Sequence, residues 1–311
     1  MKVFAPGKLV LTGAYAVLDG APAIVMATSR GAYADSSRSN PTPSAEVRAA
    51  LGDVDSPHVD ASSLFLGSRK LGLGASSAIL VASLAARDAK TAADLADEKF
   101  RAALFERART AHAAAQAGGS GVDVAASVHG GVLEYVPGSA KRRSLPAGTL
   151  VRVFACGTSA STSELRGQVD RFAAVSPVAH RACLDDLEEI AYEAAAAVKA
   201  GSHDRFILAI RLAARSLFRL GVGAGAPIVP EGFDKLEAIA SADGGAFCVS
   251  GAGGGDVAAY VGSAPPSAAF AARALALGLF EIDVALDEKG VRAATQPSAF
   301  FAAGSGATST S

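Results

Sequence analysis

Three glycine-rich stretches hold the residues of this chain best placed to do chemistry. Ser250-Gly251-Ala252-Gly253-Gly254-Gly255-Asp256 packs glycines ahead of an acid, the composition of a backbone loop built for close approach. Gly72-Leu73-Gly74-Ala75-Ser76-Ser77 opens a long alanine-rich apolar segment, and Gly118-Gly119-Ser120-Gly121-Val122-Asp123 ends in a second acid. Where a glycine turn leads into a helix, unpaired N–H groups and the positive end of the helix dipole converge, and an anion can sit there without steric obstruction. Ser76 and Ser77 could add a hydroxyl ligand to a magnesium ion bridging phosphate oxygens, or could only cap the helix. The loops lack the Gly-x-x-x-x-Gly-Lys-Ser/Thr spacing of a P-loop, and Gly72-x-Gly74 has no third glycine at the Rossmann spacing. A phosphorylated ligand is expected, and hydride transfer to a dinucleotide is not.

The elements that must position these loops are legible in outline. Strands are expected at Leu9–Thr12 and Ala23–Thr28, paired as neighbours across the turn Asp19-Gly20-Ala21-Pro22. Asp35 to Ser44 reads as an exposed loop. Ala75 to about Lys90 is apolar on most faces and predicts a deeply buried helix, followed by a helix over Ala93–Gln116. Val132–Val136 alternates like a strand, and Pro137–Gly148 is the expected domain boundary, with Lys141-Arg142-Arg143 as a solvated turn. Beyond it, a strand at Leu150–Cys156, helices near Pro177–Ala200, His203–Leu220 and Glu231–Ala242, strands near Val257–Val261 and Glu281–Leu286, and a helix at Pro266–Leu277 complete an α/β sandwich. Residues 1–147 and 148–303 would form two domains, and 304–311 a disordered tail without core-forming residues.

Composition narrows the functional classes. A length of 311 residues allows a large core. Hydrophobic residues make up 50%, but aromatics only 6%, which favours close helix packing in a soluble α/β or α+β protein over an aromatic-rich sandwich. A formal net charge of −1 gives no reason to expect nucleic acid or an anionic membrane as partner. Cys156, Cys183 and Cys248 are too widely spaced for a disulfide framework or a paired metal motif, so a reducing cytoplasm is the expected setting. Pro6, Gly7 and Lys8 interrupt the N-terminal apolar run before a signal peptide could form, and no segment reads as a membrane span.

Taken in order, Ala5-Pro6-Gly7-Lys8 with Gly13-Ala14-Tyr15-Ala16-Val17, then Lys70 to Ser77, then Ser250 to Asp256, resemble the three motifs of the GHMP small-molecule kinases. Within that superfamily the chain most resembles the phosphomevalonate kinases, through Lys70 directly before its loop, Gly119 to Ser127, Gly157 to Ser163 and the triple glycine before Asp256. The resemblance runs from about residue 2 to 290. It implies a two-domain α+β fold, ribosomal-protein-like then ferredoxin-like, with nucleotide and acceptor meeting in the cleft between the domains. It implies ATP and Mg²⁺ as cofactors, a small phosphorylated acid as acceptor, and a monomer or homodimer. Gly72, Leu73, Gly74, Ala75, Ser76 and Ser77 would hold the ATP phosphates, with Ser76 on the metal. Ser120, Ser161, Thr162, Ser250, Gly251, Ala252, Gly253 and Gly254 would face the acceptor, and Lys8, Asp123 and Lys70 would be the catalytic centre.

The bland readings stand beside these. Asp123 could be a helix N-cap, Ser161 to Ser163 could cap a helix starting near Glu164, and His112 and His129 read as structural. The chain departs from the pattern at Ala14, where Glu is usual, at Ala75, where a serine is usual, and at Phe247-Cys248-Val249, where a lysine often stands. Mevalonate kinase chemistry and a non-catalytic metabolite-binding role remain the alternatives to transfer onto 5-phosphomevalonate.

Overall fold

The structure is a computed structural model that describes residues 1–52, 55–116, 118–157 and 162–294. In chain order its strands are β1 (Lys2–Thr12), β2 (Ala23–Asn40), β3 (Ser56–Asp60), β4 (Phe65–Leu66), β5 (Arg69–Lys70), β6 (Val132–Val136), β7 (Ser139–Arg143), β8 (Leu150–Ala155), β9 (Ala246–Val249), β10 (Val257–Gly262), β11 (Phe280–Ile282) and β12 (Arg292–Ala293). Its α-helices are α1 (Ala45–Leu51), α2 (Ala75–Asp88), α3 (Glu98–Ala115), α4 (Val122–His129), α5 (Thr162–Val175), α6 (Pro177–Ala200), α7 (His203–Ala224), α8 (Phe233–Ala242) and α9 (Ala268–Ala276).

The first sheet runs β12-β1-β2-β6-β7, with β3 on the far half of β2, and α2 and α4 pack on it. The expected pairing of the first two strands holds, antiparallel through Lys8↔Ala27 and Val10↔Val25. The long β1–β2 ladder slips at Pro6/Gly7, where Pro6 has no N–H to offer the ladder. Past the slip, the Lys8 N–H bonds to Leu73 O at 2.8 Å. A Cβ on Gly7 would lie 2.4 Å from that carbonyl, so only glycine lets the strand meet the loop.

The second sheet has the order β11-β8-β10-β9, all antiparallel. Numbered within this half, that is 4-1-3-2 for a strand–helices–strand–strand–helix–strand chain, the ferredoxin-like arrangement. Two-residue periodicity divides its faces. Val153, Ala155, Ala246, Cys248, Val257 and Ala259 join the core shared with α6, α7 and the first sheet, whereas Phe154, Phe247 and Tyr260 turn towards α8 and α9. There they pack edge-on around Phe270, an aromatic cluster on this face of the sheet.

Several expectations are corrected. Asp35–Asn40 is strand rather than loop, because Asp35 is buried, paired opposite His58 and close to Lys2. Lys141-Arg142-Arg143 lies in β7, an edge strand whose charges include the Arg143–Glu134 pair at 2.8 Å, a composition that discourages further strand pairing. The expected helix at Ala93 begins as α3 only after Asp97, whose carboxylate accepts the Phe100 N–H at 2.8 Å as a helix cap. The strand expected to reach Leu286 ends at Ile282. The chain then returns to the first sheet, bridging Leu286 to Thr28 and adding β12 beside β1. The tail 304–311 lies outside the described residues. Among the described residues no helix is long and apolar enough to cross a membrane.

Candidate active site

Helix α2 starts at a glycine. Gly74 is its N-cap in the left-handed region (φ 78°), and no side chain caps the first turn. The N–H groups of Ala75, Ser76 and Ser77 therefore lack the carbonyl partners of a helix interior. Neither serine is the N-cap. The Ser77 hydroxyl donates to Gly74 O at 2.8 Å and is fully buried, while Ser76 faces the cleft. Leu73 is also buried and contributes its carbonyl to Lys8 N. The loop packs hard against its neighbours, since a Cβ on Gly72 would lie 2.4 Å from Asp256 Cβ and one on Gly74 2.8 Å from Lys8 Cγ.

Lys8 reaches up from β1, its Nζ donating to Gly72 O at 3.0 Å. Burial lowers its pKa below the ordinary lysine value, and the negative charges of Asp123 and Asp256 partly offset that. Asp123 stands in the first turn of α4, where Gly121 (φ 81°) is the N-cap; the carboxylate thus belongs to the second helical residue and is not the cap. Helix α4 is tied to β1 by the Ser127 hydroxyl, which donates to Pro6 O at 2.7 Å and so fixes Asp123 relative to Lys8. Behind Asp123, His112 Nε2 lies 3.5 Å from Oδ2.

The third loop crosses from the second sheet. Ser250 Oγ accepts the Val10 N–H at 2.9 Å, and the Tyr15 hydroxyl donates to Ala252 O at 2.9 Å. Tyr15 has φ 63° and ψ −54°, the middle of a γ-turn closed by Ala16 N–H to Ala14 O at 2.8 Å, a strained conformation for a non-glycine residue. Gly251, Gly253, Gly254 and Gly255 all have positive φ. The close approach suggested by so many glycines is to the protein itself: Gly254 N–H bonds Ile228 O at 2.9 Å, and a Cβ on Gly253 would lie 2.1 Å from the same oxygen.

Two adjoining cavities result. The wider, ≈ 590 Å³, is lined by Lys70, Gly72, Gly74, Ala75, Ser76, Ser163, Ser250, Gly253 and Asp256. The narrower, ≈ 180 Å³, is lined by Ala14, Tyr15, Val17, His112, Ser120 and Gly251. Lys8, Asp123, Gln116, Thr162, Arg166 and Ala252 line both and mark the junction. Gly254 is turned away, and Ser161 lies outside the described residues. Arg166 and Gln116 are additions that motif reading did not supply; Tyr15 and Asp256 stood within quoted motifs without a role, and His112 was read only as structural. Asp256 was visible as the acid closing its glycine run, whereas Arg166 and Gln116 belong to helices whose facing only the fold reveals. Thr162 and Ser163 begin α5, consistent with a helix near Glu164.

A magnesium ion would find a hard oxygen donor at Ser76, which hydrogen-bonds the buried Glu46; that carboxyl's pKa is lowered, since burial alone would raise it but hydrogen bonds from Gln116, Ser44 and Ser76 outweigh that. Among the described residues no three His, Cys, Asp or Glu side chains gather as a ligand set, so phosphate oxygens would have to complete the shell, the usual habit of Mg²⁺. A larger cavity, ≈ 780 Å³, lies among α6, α7 and α8. It holds none of the lysines, and its Arg205, Arg215 and Arg219 already face Glu193, Glu237 and Asp186.

No protein-family model matches the chain. It is similar to the phosphomevalonate kinase of Streptomyces sp. (strain CL190), at 29% identity over 81% of this chain and 87% of that protein. Among solved structures, a Lin0012 protein from Listeria innocua superposes with a TM-score of 0.79 at 21% identity, covering 95% of this chain and 99% of that one. Streptococcus pneumoniae phosphomevalonate kinase, in complex with phosphomevalonate and AMPPNP, gives a TM-score of 0.70 at 19% identity, covering 92% and 99%. The fold is that of the GHMP kinases, with two domains, and the resemblance to that superfamily read from the motifs stands. These likenesses support a kinase of the GHMP type.

Proposed function

We propose that this chain is a cytoplasmic ATP-dependent kinase that transfers a phosphoryl group to 5-phosphomevalonate, giving 5-diphosphomevalonate. The observation that carries the reading is the junction of the two cavities, where Lys8 and Arg166 line both sides and the first turn of α2 opens onto the wider one. ATP phosphates would lie along Gly72, Gly74, Ala75 and Ser76, with Lys70 over them; Ser76 backed by Glu46 would hold Mg²⁺, which when bound neutralises phosphate charge. The acceptor would occupy the narrower cavity against Ser120, Thr162, Gly251 and Ala252. Three free cysteines, two of them buried, fit a reducing compartment.

The chemistry follows from the acceptor. A phosphate monoester oxygen is already nucleophilic near neutral pH and needs alignment more than deprotonation. Its oxygen bonds to the γ-phosphorus while the bond from that phosphorus to the β–γ bridging oxygen breaks, and ADP leaves with the electron pair. Two anions must meet, so positive charge is the scarce resource, and Lys8, Lys70 and Arg166 supply it. Burial lowers the pKa of Lys8, and Asp123 and Asp256 act against that, favouring its ammonium form. Asp123 would also take the proton of an acceptor that arrives partly protonated.

Arg166 gives the discriminating test. A guanidinium on a phosphate is a strong charge-assisted contact, so Arg166→Gln is expected to raise the KM for 5-phosphomevalonate about 10- to 100-fold and leave that for ATP within about threefold. Unchanged acceptor KM would remove Arg166 from acceptor recognition, and turnover with mevalonate but not its phosphate would replace the acceptor named above.

A further inference from the structure

The active-site cleft contains a histidine that the transfer chemistry does not call for. His112 sits in the last turn of α3, 5% exposed, and lines the narrower cavity together with Lys8 and Asp123. Its Nε2 is buried and makes no hydrogen bond of normal geometry, yet it lies 3.5 Å from Asp123 Oδ2. A buried ring nitrogen held for packing alone is ordinarily satisfied by a carbonyl or water, because an unmet donor costs about 1–3 kcal/mol. Here the group facing it is the carboxylate that acts on Lys8. Among the described residues the other oxygen, Oδ1, accepts from the adjoining Val124 N–H at 3.0 Å, a local bond that cannot by itself choose the direction of the carboxylate. Catalytic hydrogen bonds are often long before the substrate is bound and shorten in the complex.

We infer that His112 is a positioning residue: its Nε2–H donates to Asp123 Oδ2 and holds the carboxylate turned towards Lys8 while the phosphoryl group is transferred. The inference rests on the placement of Asp123 at the reacting centre proposed above, but not on the identity of the acceptor. Helix α3 thereby joins the site from behind, through a side chain that does not itself touch the reacting atoms. The neighbouring residue Gln116, which caps α3 and bonds Glu46 Oε1 at 3.0 Å, ties the same helix end to the Ser76 side of the cleft.

The test compares His112→Gln, whose amide nitrogen can occupy the place of Nε2, with His112→Leu, which has no donor. With the best acceptor found for the native protein, His112→Leu is expected to lower kcat about 10- to 100-fold at unchanged KM for ATP, and His112→Gln to recover most of it. Thermal unfolding of both variants separates this from loss of fold. Equal kcat in the two variants, whether at the native level or equally depressed, overturns the inference. Nitrogen-15 NMR of the histidine rings gives a readout that needs no acceptor: Nε2 of His112 should carry a proton in the native protein, and Asp123→Asn should move its resonance. An unprotonated Nε2, or a signal indifferent to Asp123→Asn, overturns the assignment even if 5-phosphomevalonate proves to be the acceptor. Conversely, silence with 5-phosphomevalonate alongside the expected NMR response rejects the acceptor and leaves the His112 contact standing.

Discussion

Lys8 is kept in the cleft against its own solvation. Burial pulls its pKa below the usual 10.5, and Asp123 and Asp256 only partly reverse that. The sign for stability follows. Between the depressed folded value and the unfolded one, the unfolded chain binds more protons, so Lys8 contributes a stability that rises with pH across that window. Lys8→Met should therefore raise the melting temperature of the ligand-free protein by a few degrees and lack the rise in stability that the native protein shows across that window, while cutting turnover at least 100-fold. A variant that is both less stable and fully active would contradict this account. The thiols behave oppositely to a reactive site: burial pushes Cys156 and Cys248 up to about 12, so neither should alkylate in the folded protein at neutral pH. Of the residues at this centre, Lys8, Lys70 and Asp123 were legible because each adjoins a glycine motif. Arg166 and His112 were not, since each is one polar residue on a helix whose facing depends on tertiary packing.

At the scale of elements, the glycine loops are rigid joints rather than flexible ones. Gly253 has φ 81° and its missing Cβ would overlap Ile228 O, whereas Gly278, at φ 74°, has open space around it. Gly278→Ala is expected to cost about 1 kcal/mol, the left-handed penalty alone, and Gly253→Ala several times that, measured by urea unfolding. The γ-turn at Tyr15 joins β1 to the third loop, and Tyr15→Phe removes the bond to Ala252 O with little change of shape. Its expected effect is a loss of kcat/KM for acceptor of about threefold to tenfold, with ATP binding untouched. The elements themselves were partly readable. Helix α2 was plain because apolar residues cover most of its faces, and the far half of β2 was not, since it reads Asp-Ser-Ser-Arg-Ser-Asn and becomes strand by pairing with β3 and with the start of β1. Burial of Asp35 there, rather than propensity, decides the conformation.

For the whole molecule, the cleft depends on contacts between the two sheets. Val10 to Ser250, Tyr15 to Ala252 and the packing of Gly72 on Asp256 bring the third loop over the first. The return of the chain after Leu286 to place β12 beside β1 adds a further link, one that no local pattern announced because two residues of strand leave no periodicity. The alternation of strands and helices in the second half read only as an α/β sandwich, without β9 (Ala246–Val249); the ferredoxin-like expectation came from the family resemblance, and the strand order is a property of pairing that emerged only in three dimensions. The most direct measurement of the central claim is ADP release by the purified protein with ATP and magnesium, comparing 5-phosphomevalonate, mevalonate and no acceptor. The account predicts ADP release that depends on 5-phosphomevalonate and is at least tenfold slower with mevalonate. Release only with mevalonate, or none above background with either acceptor from a protein that still binds ATP, would contradict it.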